Sequence, residues 1–152
     1  MMRFLGLMVS SFILLTSFNY SDLEVVRSNY NKLVSDKVMC EKMIDELVKT
    51  KEQSPVYLAY LGAAQTIWAN HVFSPINKLN TFKKGRENIE KAIGRSPNNV
   101  EIRFIRLSVQ KNAPSFLGYK SNIQQDTEFI EKYRDEIHSA ILLKNIKLLI
   151  NK

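Results

Sequence analysis

From residue 22 onward, apolar residues recur at three- and four-residue intervals, the spacing that lines one face of an α-helix. Between Asp22 and Lys51 these positions are Leu23, Val26, Tyr30, Leu33 and Val34, then Val38, Met39, Met43, Ile44, Leu47 and Val48. Ser35-Asp36 separates the two sets and can cap a helix, so the pattern predicts two short helices there. Ser54-Pro55 predicts a third helix running to about Asn70, because proline at the first helical position has no amide to leave unsatisfied. Ser74-Pro75 predicts a fourth, with Ile76, Leu79, Phe82, Ile89, Ala92 and Ile93 as its inward stripe and Gly94 and Pro97 as its end. Asn98 is expected to cap a fifth helix over about 99–111. Ala113 to Tyr119 breaks the period, after which Ser121 and Gln124 have the spacing of a capping box for a sixth helix through Ile123, Phe129, Ile130 and Tyr133. The last helix is expected from about Asp135 to Ile150.

The third and fifth helices differ from the others in how their apolar residues are distributed. Tyr57, Leu58, Tyr60, Leu61, Ala64, Ile67 and Trp68 cover a wide arc of the third, and Ala59, Ala63, Thr66 and Asn70 keep its other side small. A helix apolar most of the way round belongs at the centre of a bundle, with small residues admitting a close neighbour. On the fifth, Val100, Phe104 and Leu107 form one arc and Ile102, Ile105 and Val109 another, so it should be covered on two sides. Arg103, Arg106 and Gln110 project from the gap between the arcs. With 5 Gly, 4 Pro and no Asn-Gly or Asp-Gly hairpin pair, the chain reads as all-α: an antiparallel array of about six or seven helices forming one domain over residues 22–152.

The first 21 residues have a different layout. Arg3 precedes an apolar run from Phe4 to Leu15, and Asn19, Ser21 and Asp22 follow, the arrangement of a secretory signal peptide. The run is short of the roughly 20 apolar residues that cross a bilayer. Export to the periplasm or cell exterior is therefore expected, with retention as an N-terminal membrane anchor as the alternative. No Ala-x-Ala site fixes a cleavage point, and no cysteine lies nearby to accept a lipid. The lone Cys40 is expected to be buried as a small hydrophobe on the second helix.

Charge narrows the choice of partner. The formal net charge is +7, and residues 78–120 hold ten basic side chains against Glu87, Glu90 and Glu101, whereas the flanking regions are balanced. Such a surplus suits an acidic protein surface or anionic lipid; nucleic acid is disfavoured by the expected compartment and by the lack of interleaved aromatic and basic residues. The motif spacings of phosphate loops, paired-cysteine zinc sites, zinc-protease helices and serine-hydrolase elbows do not occur, so neither a catalytic residue, a metal site nor a cofactor is expected.

Gly85, Ile89, Ala92 and Pro97 have the spacing of the second half of a tetratricopeptide motif, and Leu58 with Leu61-Gly62 resembles its first half. The chain thus resembles a degenerate tetratricopeptide-like helical array, although the interval between the halves exceeds the standard repeat by a helical turn or more. Ser96 to Leu107 and Pro114 to Tyr119 also resemble short exported helical proteins of unassigned function. What the resemblance implies is a fold and a compartment. The expected function is a non-enzymatic binding or scaffolding protein that holds a peptide or protein partner. Arg103, Arg106, Gln110, Lys84 and Lys91 would contact that partner, and Tyr57, Tyr60 and Trp68 would line the groove. The alternatives are a peripheral protein of anionic membrane surfaces, using Lys83, Lys84, Arg86 and Lys91 or the last helix, and an enzyme without a standard motif.

Overall fold

A computed structural model describes residues 22–151; the expected leader, 1–21, lies outside them. The described chain is all-helical. Seven α-helices follow in order: α1 Leu23–Tyr30, α2 Lys37–Thr50, α3 Pro55–Trp68, α4 Pro75–Arg95, α5 Val100–Asn112, α6 Ile123–Tyr133 and α7 Ala140–Ile150. Single 3-10 turns at Ser115–Leu117 and Arg134–Glu136 interrupt the later connections.

The predicted starts are met where a short side chain can reach back to the first free amides. Asp36 accepts from the Met39 amide at 2.9 Å and opens α2, and Ser74 accepts from Asn77 to open α4. At α5 the cap is Asn99 rather than Asn98: its Oδ1 accepts from the Ile102 amide at 3.0 Å. The expected capping box at α6 does not form. Ser121 bonds the Asn122 side chain instead, Gln124 reaches forward to Glu128, and Asn122 occupies the cap position without its side chain accepting from a helix amide. Gly94 does not end α4, which runs one residue further to Arg95; Pro97 then holds Ser96 out of the helical region. The last helix begins five residues later than expected, at Ala140, because Ser139 accepts from the Leu142 amide while donating to Glu24 Oε2 at 3.1 Å. That tie to α1 holds the 137–139 stretch extended.

α3 is the centre of the array, buried at Val56 and without interruption from Leu58 to Thr66. It packs on α2, α4, α5 and α1. α4 comes closest, through two glycines: a Cβ on Gly62 would stand 2.5 Å from the Gly85 carbonyl oxygen and 2.8 Å from Ile89 Cγ1, and a Cβ on Gly85 would strike the Gly62 carbonyl. Backbone therefore meets backbone at this crossing. α5 packs against α3, α4, α6 and α7, and α1 closes the array by lying against α3 and α7. Cys40 is buried as expected, its Sγ 3.5 Å from the Ala64 carbonyl, and burial pushes the thiol up to about 12.

Candidate functional site

The inner face of the array, formed by α3, α5 and α7, is filled by α1. Arg27 makes a two-pronged contact with Glu101, Nη2 to Oε2 at 2.5 Å and Nε to Oε1 at 2.7 Å, and also pairs with Glu24. Tyr60 donates to the same Glu101 at 2.8 Å, and Tyr30 shares a hydrogen bond with Ser108 at 2.6 Å. Asn145 of α7 donates to the Arg27 carbonyl and accepts from Asn31. Hydrogen bonding to Glu101 raises the Arg27 guanidinium further, and burial raises both tyrosines, Tyr30 to about 12. Tyr60, expected to line an open groove, is fully buried beneath Tyr30, ring centroids 5.3 Å apart. Tyr57 and Trp68 are half-buried. They stand eleven residues apart on α3, about 16 Å along the axis, and with Tyr60 buried between them the three do not together line an open groove.

Arg103, Arg106 and Gln110 do point the same way, and what they meet is α6. Arg106 Nε and Nη2 reach the two oxygens of Asp126 at 2.7 and 2.8 Å, Arg103 Nη1 reaches Oδ1 at 2.9 Å, and Gln110 exchanges two hydrogen bonds with Asn122. Arg106 also contacts Glu90 of α4, which accepts a 2.6 Å bond from Tyr119. Gln110 and Asp126 are fully buried and Arg106 nearly so. The trio expected to contact a partner is therefore turned inward. A carboxylate taken out of water must be paired, and the two arginines are what pair it. Asp126 escaped the sequence reading, yet it falls between Ile123, Ile130 and Tyr133 on one helical stripe. A lone acid on an inward stripe is the signal that could have found it.

Part of the basic surplus is thus neutralised inside the protein. Lys84 and Lys91 are exposed on the outer face of α4 along with Lys83 and Arg95. Arg86 lies over the Tyr119 ring at 4.8 Å.

The two ends of the array differ sharply. One end gathers the α1–α2, α3–α4 and α5–α6 connections together with the last turn of α7. The His71 Nε2 contact with the Leu33 carbonyl at 2.9 Å ties the first two, and Lys111 donating to the Leu149 carbonyl at 2.7 Å ties α5 to α7. Seven of the eight exposed large hydrophobics among the described residues are at this end. Val34 and Val38 flank the α1–α2 turn, the latter 75% exposed. Phe73 is 95% exposed in the next connection, and Ile76 and Leu79 follow on the first turns of α4, where Pro75 to Asn80 are exposed throughout. Phe116 is 86% exposed and Leu148 half so. Lys32, Lys37, Lys78, Lys111, Lys120 and Lys147 belong to these connections and the helical turns beside them, with Asp36 and the buried Asp126 as their acidic residues. The connections and flanking helical turns at the opposite end hold Lys49, Lys51, Arg95, Lys132 and Arg134 against Asp22, Glu24, Glu52, Glu101, Asp135 and Glu136, and so are close to balanced.

A polar cleft of about 530 Å³ opens at that opposite end, between the starts of α1, α5 and α7, lined by Glu24, Arg27, Asn99, Glu136, His138 and Leu142. A second hollow, about 580 Å³, runs along the outer side of α7 beside Leu143, Lys144, Lys147 and Leu148. Among the described residues no three histidine, cysteine or acidic side chains gather as a metal site would require, and no helix is long and apolar enough to cross a membrane. Comparison with protein-family models, with curated proteins and with solved structures returns no match. The class of protein that fold and surface define is a closed all-helical array with one apolar, basic end.

Proposed function

We propose that the chain is a non-enzymatic, exported binding or scaffolding protein whose working surface is the apolar, basic end of the array. The observation that carries this reading is the segregation of exposed hydrophobics: single exposed apolar residues are ordinary, but a group at one end, rimmed by lysines, has the character of a surface that is covered in use. The tetratricopeptide-like resemblance belongs to the same reading. Close packing of Gly62 on Gly85 supports it, and a helical array serves as a rigid frame for connecting loops. Because α1 takes the inner face, a partner is received at the ends of the helices. The best-placed carboxylates, Glu101 and Asp126, favour a binding role over an enzymatic one, since their oxygens are already engaged by Arg27, Tyr60, Arg103 and Arg106.

The test is retention of the full chain on its own cell-envelope fraction. Phe73→Ser combined with Ile76→Ser should abolish retention while leaving the far-ultraviolet circular dichroism unchanged, and Glu136→Gln with His138→Gln in the opposite cleft should not affect it. Loss of retention in the cleft variant alone would move the working surface to the other end and reject the reading.

A further inference from the structure

The apolar end also carries enough detail to name the chemistry of what covers it. Two features coincide there. The most exposed side chains, Phe73, Phe116, Val38 and Ile76, sit at turns or first helical turns, so they are spread over separate connections at the helix ends instead of along one helix face. A continuous stripe along one helix would select a strand or a helix of another protein, whereas apolar side chains spread over separate connections suit a surface that is broad and deformable. Around them stand six lysines and two acidic residues, Asp36, which is engaged as the α2 cap, and Asp126 in the first turn of α6, which is buried and paired with Arg103 and Arg106. Lysine keeps its ammonium in water while its stem lies on apolar surface, the behaviour required at the level of lipid head groups.

We infer that this end docks on an anionic lipid bilayer, with Phe73, Ile76 and Phe116 entering the interface and Lys32, Lys37, Lys78 and Lys120 facing the lipid phosphates. The inference rests on the reading above for the location of the working surface and adds the partner. It differs from a membrane role for the outer face of α4, where Glu87 stands among the exposed Lys83, Lys84 and Lys91 and the exposed hydrophobics of the same helix, Ile76 and Leu79, lie at its start, within the apolar end. The charge difference between the two ends orients the molecule, since the lysine-rich end is attracted to the surface and the opposite end, where acidic and basic side chains nearly balance, is not.

A reporter at each end tests this in the full chain. Trp68 is the one tryptophan, so Trp68→Phe gives a silent background into which Phe73→Trp, Phe116→Trp or Val48→Trp is placed. Val48 is exposed on the last turn of α2, at the far end. With vesicles containing phosphatidylglycerol, emission from positions 73 and 116 should shift to the blue and be quenched by brominated acyl chains, and emission from position 48 should not. High salt should reverse the effect, and vesicles of phosphatidylcholine alone should give little. Changing Lys32, Lys37 and Lys78 together to Gln should weaken partitioning by roughly a hundredfold, taking each lysine near an anionic surface at its usual strength. Two loop reporters guard against one substitution disturbing its own loop. A response at position 48 with none at 73 or 116, an equal response to neutral vesicles, or no response anywhere overturns the inference. If retention on the envelope still depends on Phe73 and Ile76 while vesicles give nothing, the lipid assignment fails and the working surface stands, its partner then being a protein.

Discussion

Glycine is used in two opposite ways in α3 and α4. Gly62 lies where any side chain would enter the backbone of α4, so Gly62→Ala should cost about 3 kcal/mol or more, at the upper end of what overpacking a dense core costs. Gly94 has open space around its missing side chain and lies inside the helix; Gly94→Ala should add about 0.5–1 kcal/mol by helix propensity alone. Urea midpoints for the two variants should move in opposite directions, and a shared direction would mean that the crossing is not set by backbone contact. Asp126 supplies the second test at this scale. Asp126→Asn leaves two arginines facing a weakened acceptor away from water, and a loss of about 3–5 kcal/mol is expected. Pairing Asp126→Leu with Arg106→Met removes the two most deeply buried charges, leaving Arg103 bonded to the Pro97 carbonyl, and should cost less than Asp126→Asn alone; a larger loss would count against desolvation as the cause.

At the level of helices, caps that form can be told from caps that merely fit a pattern. Asn99→Ala should lower stability by about 1 kcal/mol because it frees the Ile102 amide, whereas Ser121→Ala should stay within about 0.5 kcal/mol, its hydroxyl holding no helical amide. Equal losses in thermal unfolding would contradict this difference. The boundaries that sequence spacing misplaced share a cause. Asn98 and Asn99 are equally good caps in isolation, and what selects Asn99 is where Val100, Ile102 and Phe104 must point to be buried. The start of α7 was likewise decided by a residue 115 positions away, Glu24, acting on Ser139. Local propensity names the residues able to end a helix, and long-range packing chooses among them.

For the molecule as a whole, buried phenols and a thiol set an alkaline limit. Burial raises Tyr30 to about 12 from an ordinary 10.0 and Cys40 to about 12 from 9.0, and it raises Tyr60 and Tyr119 as well. Since the fold favours their neutral forms, that stability is complete below the unfolded values and lost as pH climbs through the folded ones. Urea stability should therefore fall between about pH 9 and pH 12, and Tyr30→Phe, which cannot ionise, should flatten part of the fall; an unchanged slope would remove Tyr30 from the account. The sequence by itself determined that the chain is helical, that α3 is its centre and that Cys40 is inside, because those follow from periodicity and from the amount of apolar side chain on each turn. It identified Arg103, Arg106 and Gln110 as unusual without showing which way they serve. Only the tertiary structure decided that they meet Asp126, that α1 fills the inner face over Tyr60, and that hydrophobics scattered over 115 positions from Val34 to Leu148 share one end. Periodicity reports which face of a helix is apolar, and it carries no information about which helix, or which solvent, that face is given.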